Sequence, residues 1–138
     1  PWHDDREVYQ RLRAMLPPPG ATLFESLHIW DICALLAHAA AYCGTSLHGR
    51  IVAESCAVPA VNLVAAGAFD PPAKTVAYAR TWGQAGMQRL ACIGALADSV
   101  SEALRQDRAE ALSHAQAQTT LYRKGAEAWR AQLGLAAL

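Results

Sequence analysis

The chain has 138 residues, 53% of them apolar, with 12 basic residues set against 12 acidic ones. That length is one domain's worth of chain, and the balanced charge excludes a disordered tail and the basic excess that nucleic-acid phosphates demand. No window reaches the roughly 18 uninterrupted apolar residues of a membrane span, and no basic start with an apolar stretch and cleavage site marks export. The expectation is a cytoplasmic protein that engages neither membrane nor nucleic acid. Cys33, Cys43, Cys56 and Cys92 form no C-x-x-C pair and read as buried free thiols.

Proline and glycine divide the chain. Asp4 and Asp5 are placed to cap a first helix running to about Leu16, with Val8, Leu12, Met15 and Leu16 on one side and Pro17, Pro18 and Pro19 as its stop. Residues 1–20 thus read as a helix and proline-rich turn, and residues 21–138 as a bundle, within a single helical domain. Ser26 is a fair cap for a long helix from about Leu27 to Ser55, whose axis would span on the order of 40 Å. Gly44 and Gly49 would cost that helix roughly 1 kcal/mol each but let a neighbouring helix approach closely.

Val58-Pro59 reads as the start of a short helix ending around Gly67. Asp70, Pro71 and Pro72 introduce a helical segment from Ala73 to about Arg105, kinked or split at Gly83 and Gly86, and a last helix runs from about Arg108 to Leu133. No segment alternates for long enough to predict a strand, so the expected fold is an all-α bundle with one long central helix. A globule of this length has a radius of gyration of roughly 14 Å, which such a helix outgrows. Its middle, Ile32 to Ala41, is apolar nearly all round, so a second copy is expected to cover it in an intertwined homodimer.

On that helix Asp31, His38 and Tyr42 fall at i, i+7 and i+11, within about 20° of one line. A carboxylate, an imidazole and a phenol on one apolar helix suggest the wall of a pocket where a proton is transferred. The plain alternative pairs Asp31 with His28 or with an arginine. His28, His38 and His48 are spaced roughly 15 Å apart along one axis and cannot close on one metal. Glu25-x-x-His28 has the spacing of a dinuclear bundle site, but Glu110-Ala-Leu-Ser-His114 does not, so no metal site is expected. The nine glycines form neither G-x-G-x-x-G nor a P-loop.

The run Arg6 to Leu16, a short apolar link and then Leu27-His28-Ile29-Trp30-Asp31-Ile32-Cys33-Ala34-Leu35-Leu36 resembles the interdomain junction of NADP-dependent imine reductases and their 6-phosphogluconate and β-hydroxyacid dehydrogenase relatives. Leu47-His48 followed by Ala53-Glu54-Ser55-Cys56-Ala57-Val58-Pro59 is similar to the end of that family's long helix. The resemblance implies a C-terminal substrate-binding and dimerisation domain of an oxidoreductase. Asp31 would be the proton donor, Trp30 would stand where the family has tyrosine, and His38 and Tyr42 would line the substrate site. NADP would be held by a Rossmann domain in a partner or elsewhere in a longer enzyme. Two other readings stand beside it. One is a non-catalytic helical module that binds a small hydrophobic ligand or a partner protein through faces bearing Trp30, Trp82 and Trp129. The other is a metal-dependent bundle hydrolase using His38 and His114.

Overall fold

The computed structural model describes residues 6–17, 20–65, 73–83 and 89–134, and the chain falls into two compact units divided between Ile32 and Cys33. In the first unit the one-sided apolar spacing of Val8, Leu12 and Met15 forms α1 (Arg6–Met15), and Gly20 turns the chain with its N–H on the Pro17 carbonyl at 2.7 Å. The expected caps Asp4 and Asp5, with Pro18 and Pro19, lie outside the described residues. Helix α2 (Ile29–Ala37) follows an irregular link and crosses the division between the units.

The second unit corrects the all-α expectation. The long helix expected from Leu27 to Ser55 is divided into α2, a strand β1 (Tyr42–Gly44) and α3 (Leu47–Ser55). The short helix expected after Val58-Pro59 is instead β2 (Ala60–Leu63), and Gly67 lies outside the described residues. The segment expected to be helical from Ala73 to Arg105 holds α4 (Lys74–Trp82), β3 (Leu90–Ala91), a 3-10 turn (Ile93–Ala95) and α5 (Leu96–Leu104). Asp70, Pro71, Pro72 and Gly86 are outside the described residues. Only the last helix, α6 (Arg108–Gln132), runs nearly as expected, capped by Asp107, whose Oδ1 accepts from the Ala109 N–H at 2.8 Å. With the long helix gone, the argument for an intertwined dimer loses its premise.

The strands form a parallel sheet in the order β1-β2-β3, in register Tyr42 with Ala60, Gly44 with Asn62, and Asn62 with Leu90. Three alanines, Ala39 to Ala41, favour continued helix, but the chain leaves it. His38 Nδ1 donates back to the Ala34 carbonyl at 2.9 Å, and the Tyr42 N–H reaches the Pro59 carbonyl at 2.8 Å. Pairing with a buried strand outweighs local propensity here.

Helix α3 covers the face bearing Ala60, where Ala53, Val58 and Ala60 pack with Tyr42, and α5 covers the opposite face, where Val61 and Ala91 meet Ala103. A strand covered on both faces has no polar side to show. Ala60-Val61-Asn62-Leu63-Val64 therefore reads as an almost continuous apolar run rather than an alternation. Helix α6 packs its first turns on α3 through Ala111 and Ala115, while Leu121, Tyr122, Trp129 and Leu133 farther along are exposed.

Helix α3 ends in a Schellman turn. The Val58 N–H bonds the Ala53 carbonyl at 2.9 Å and the Ala57 N–H bonds the Glu54 carbonyl at 3.0 Å, with Ala57 at φ 57° in the left-handed position that glycine normally fills. A Cβ there costs about 1 kcal/mol. Ala57→Gly is expected to raise the unfolding free energy by about 0.5–1 kcal/mol in urea titrations, after the greater freedom of the unfolded glycine is set against the relieved strain.

Candidate functional site

The carboxyl edge of the sheet is built around the turn Gly44-Thr45-Ser46-Leu47-His48-Gly49, which joins β1 to α3. Ser46 caps α3, its Oγ accepting from the Gly49 N–H at 3.3 Å. The Tyr42 ring fills the inside of the turn and its hydroxyl donates to the Ser46 carbonyl at 3.0 Å. Burial pushes this phenol above its ordinary pKa.

A Cβ on Gly44 would stand 2.6 Å from the Tyr42 oxygen, and one on Gly49 would stand 2.7 Å from it and 2.8 Å from ring carbons. The two glycines have the G-x-x-x-x-G spacing of a phosphate-binding loop between a strand and a helix, but Arg50-Ile51 follows in place of the usual Lys and Ser or Thr. Their absent side chains make room for a tyrosine ring, not for a neighbouring helix.

Arg50 is buried completely. Its guanidinium lies between α3 and the sheet. Nη1 donates to Asn62 Oδ1 at 3.2 Å and to the Arg89 carbonyl at 3.3 Å, and Nη2 stands 2.7 Å from Glu54 Oε1. Asn62, equally buried on β2, donates from Nδ2 to the Gly44 carbonyl at 2.9 Å and lies 3.5 Å from the Ser46 carbonyl. On the far side of Glu54 the Tyr78 hydroxyl of α4 donates to the carboxylate. Burial, then the Glu54 charge and this hydrogen bond, push the phenol up from 10.0 to about 12 against the smaller pull of Arg50.

At the amino edge Glu54, Arg89, Gln106 and His114 line a cleft of about 30 Å³, room for one or two water molecules. Arg89 Nη1 donates to Gln106 Oε1 at 2.7 Å there, and Arg89 Nε is buried without a hydrogen-bond partner.

The residues singled out from sequence are dispersed. Asp31 is more than half exposed; its Oδ2 accepts from Ser26 Oγ, and its Oδ1 lies 3.9 Å from His28 Nδ1. The carboxylate stands between the hydroxyl and the imidazole, whereas a nucleophilic triad needs the imidazole in the middle. Trp30 is 70% exposed, His38 closes the end of α2, and Tyr42 sits on β1, so no single helix carries Asp31, His38 and Tyr42 in one line. Among the described residues no group of His, Cys, Asp and Glu is arranged to hold a metal. No helix among them is long and apolar enough to cross a membrane. Arg50 and Asn62 were missed as site residues. The signal available was a Tyr-x-Gly-x-x-x-x-Gly-Arg run followed by an asparagine inside an apolar stretch.

Two measurements probe this arrangement. Gly49→Ala should cost about 1–3 kcal/mol through overpacking against Tyr42, and a double-mutant cycle with Tyr42→Ala should recover most of that loss. Tyr78 keeps its proton to a higher pH in the fold than out of it. Its contribution to stability is therefore complete below pH 10 and declines as the pH rises from 10 through about 12. Tyr78→Phe should lose less stability than wild type across that window in denaturation series. Comparison with protein-family models, with curated proteins and with solved structures finds no match for the chain.

Proposed function

We propose that the second unit binds an anionic small molecule, through a phosphate or carboxylate group, at the carboxyl edge of its parallel sheet. One observation carries the reading. Because β1, β2 and β3 are parallel, the helices that follow them start at the same edge, and each start carries a partial positive charge, although Ser46 Oγ takes the Gly49 N–H of α3 and the Ile93 carbonyl takes the Leu96 N–H of α5. Helices α4 and α5 begin on Ala73 and Ala95 with no capping side chain, and the first turns of α3 and α4 carry no acid. Exposed His48 and Lys74 stand in those two first turns, while Asp98 in α5 is the one acid in the first turns of the three helices. Ligands of open α/β sheets are held in this place.

The resemblance to the C-terminal domain of an NADP-dependent oxidoreductase is carried by the runs 6–16, 27–36 and 47–59; the long interdomain helix it implies is divided here into α2, β1 and α3. A cytoplasmic setting fits the four free cysteines, which a reducing compartment maintains.

Titration of inorganic phosphate into isotopically labelled protein tests the proposal by amide chemical shifts. Saturable shifts are expected at Thr45, Leu47, His48 and Lys74, with affinity weakened roughly two- to fivefold in Lys74→Ala, as for loss of one favourable charge at a helix start. Absence of localised shifts at millimolar phosphate would refute it.

A further inference from the structure

We infer that Asn62 is the positioning residue of the Gly44–Gly49 turn, with Arg50 deciding which way its amide faces. The inference deepens the anion-binding reading and rests on it for the ligand. A guanidinium can only donate hydrogen bonds, so the Asn62 atom facing Arg50 Nη1 at 3.2 Å must be Oδ1. Nδ2 is then forced to the other side, toward the Gly44 and Ser46 carbonyls at 2.9 and 3.5 Å. The Ser46 carbonyl is held further by the Tyr42 hydroxyl and by the Arg50 N–H at 3.2 Å.

In a planar trans peptide the C=O of one residue and the N–H of the next point in opposite directions. Drawing the Gly44 and Ser46 carbonyls onto Asn62 and Tyr42 therefore aims the Thr45 and Leu47 N–H groups away from the buried amide. Those are the donors an anion at the start of α3 would meet. Arg50 thus acts on the turn through Asn62, from a buried position that no ligand touches.

Asn62→Asp separates this role from plain core packing. The substituted side chain has nearly the same shape and keeps a partner for Arg50, yet it offers a carboxylate oxygen to two carbonyls and so repels them. In ligand-free full-length protein, hydrogen exchange at the Gly49 and Arg50 amides, both bonded to Ser46, should rise about tenfold relative to the β2 amides of the same molecule. Phosphate affinity should fall roughly tenfold, the more so because the added charge repels an anion. If Asn62→Asp does not fold, Asn62→Ser, too short to reach the carbonyls, is expected to give the same selective loosening. Unchanged exchange at Gly49 and Arg50, with β2 equally unchanged, would overturn the inference. Failure of wild type to bind phosphate would remove the anion-binding reading, and the ligand-free exchange would still decide the positioning role.

Discussion

The structure depends on how one fully buried guanidinium is held, since Arg50 Nε has no hydrogen-bond partner among the described residues and Nη2 meets Glu54 only as an ion pair. Arg50 enters the interior from the second turn of α3, where only a carboxylate, an amide and a backbone carbonyl offset its lost hydration. Each partner belongs to a different piece of the unit: Glu54 to α3, Asn62 to β2 and the Arg89 carbonyl to the approach to β3. Removing one partner from such a pair costs about 3–5 kcal/mol, because the charge left behind remains buried. The ion therefore ties helix to sheet with a specificity that alanine and valine cannot supply alone. It also explains why a polar residue interrupts the apolar run of β2.

The small core follows from the composition. Alanine and valine fill nearly all of it, so α3 and α5 can lie close on the two faces of short strands. Glycine serves the same closeness at the β1 turn, where two absent side chains leave space for the ring of Tyr42. Where glycine would suit the backbone best, at the end of α3, the chain has Ala57 instead. The Val58 side chain folds back on Ala53 and completes the Schellman turn despite the strain.

Helix α6 and the helical character of α1 were legible because their apolar spacing survives without tertiary help. The end of α2 was not. Nothing local stops a helix at Ala37 before three further alanines, and the force that draws Tyr42 into a strand comes from residues 59–61, far along the chain. Residues 60–63 were misleading for the opposite reason, since a strand covered on both faces shows no period of two and a proline before it imitates a helix start. The candidate site was less legible still. Asp31, His38 and Tyr42 made a pattern only on a helix that does not continue, whereas the contact between Arg50 and Asn62 spans a crossover whose register no local spacing reveals.

The two edges of the sheet divide the work that polar groups do. At the amino edge the charged side chains are engaged by internal partners, Glu54 with Arg50 and Tyr78, and Arg89 with Gln106, around a cleft that admits only water. Ala57 belongs to that edge, so its strain is a structural feature of a helix end rather than the mark of a reacting group. At the carboxyl edge none of the side chains on the β1 turn, Thr45, Ser46, Leu47 and His48, is acidic, and the backbone carries the electrostatics. A site made from peptide dipoles needs its peptides held still, because each N–H contributes only while it points at the ligand. Arg50 and Asn62 lie between the two edges and turn rigidity at one into orientation at the other. This argues that the buried charge is kept for the shape of the turn, since an apolar replacement of equal volume would stabilise the core as well or better.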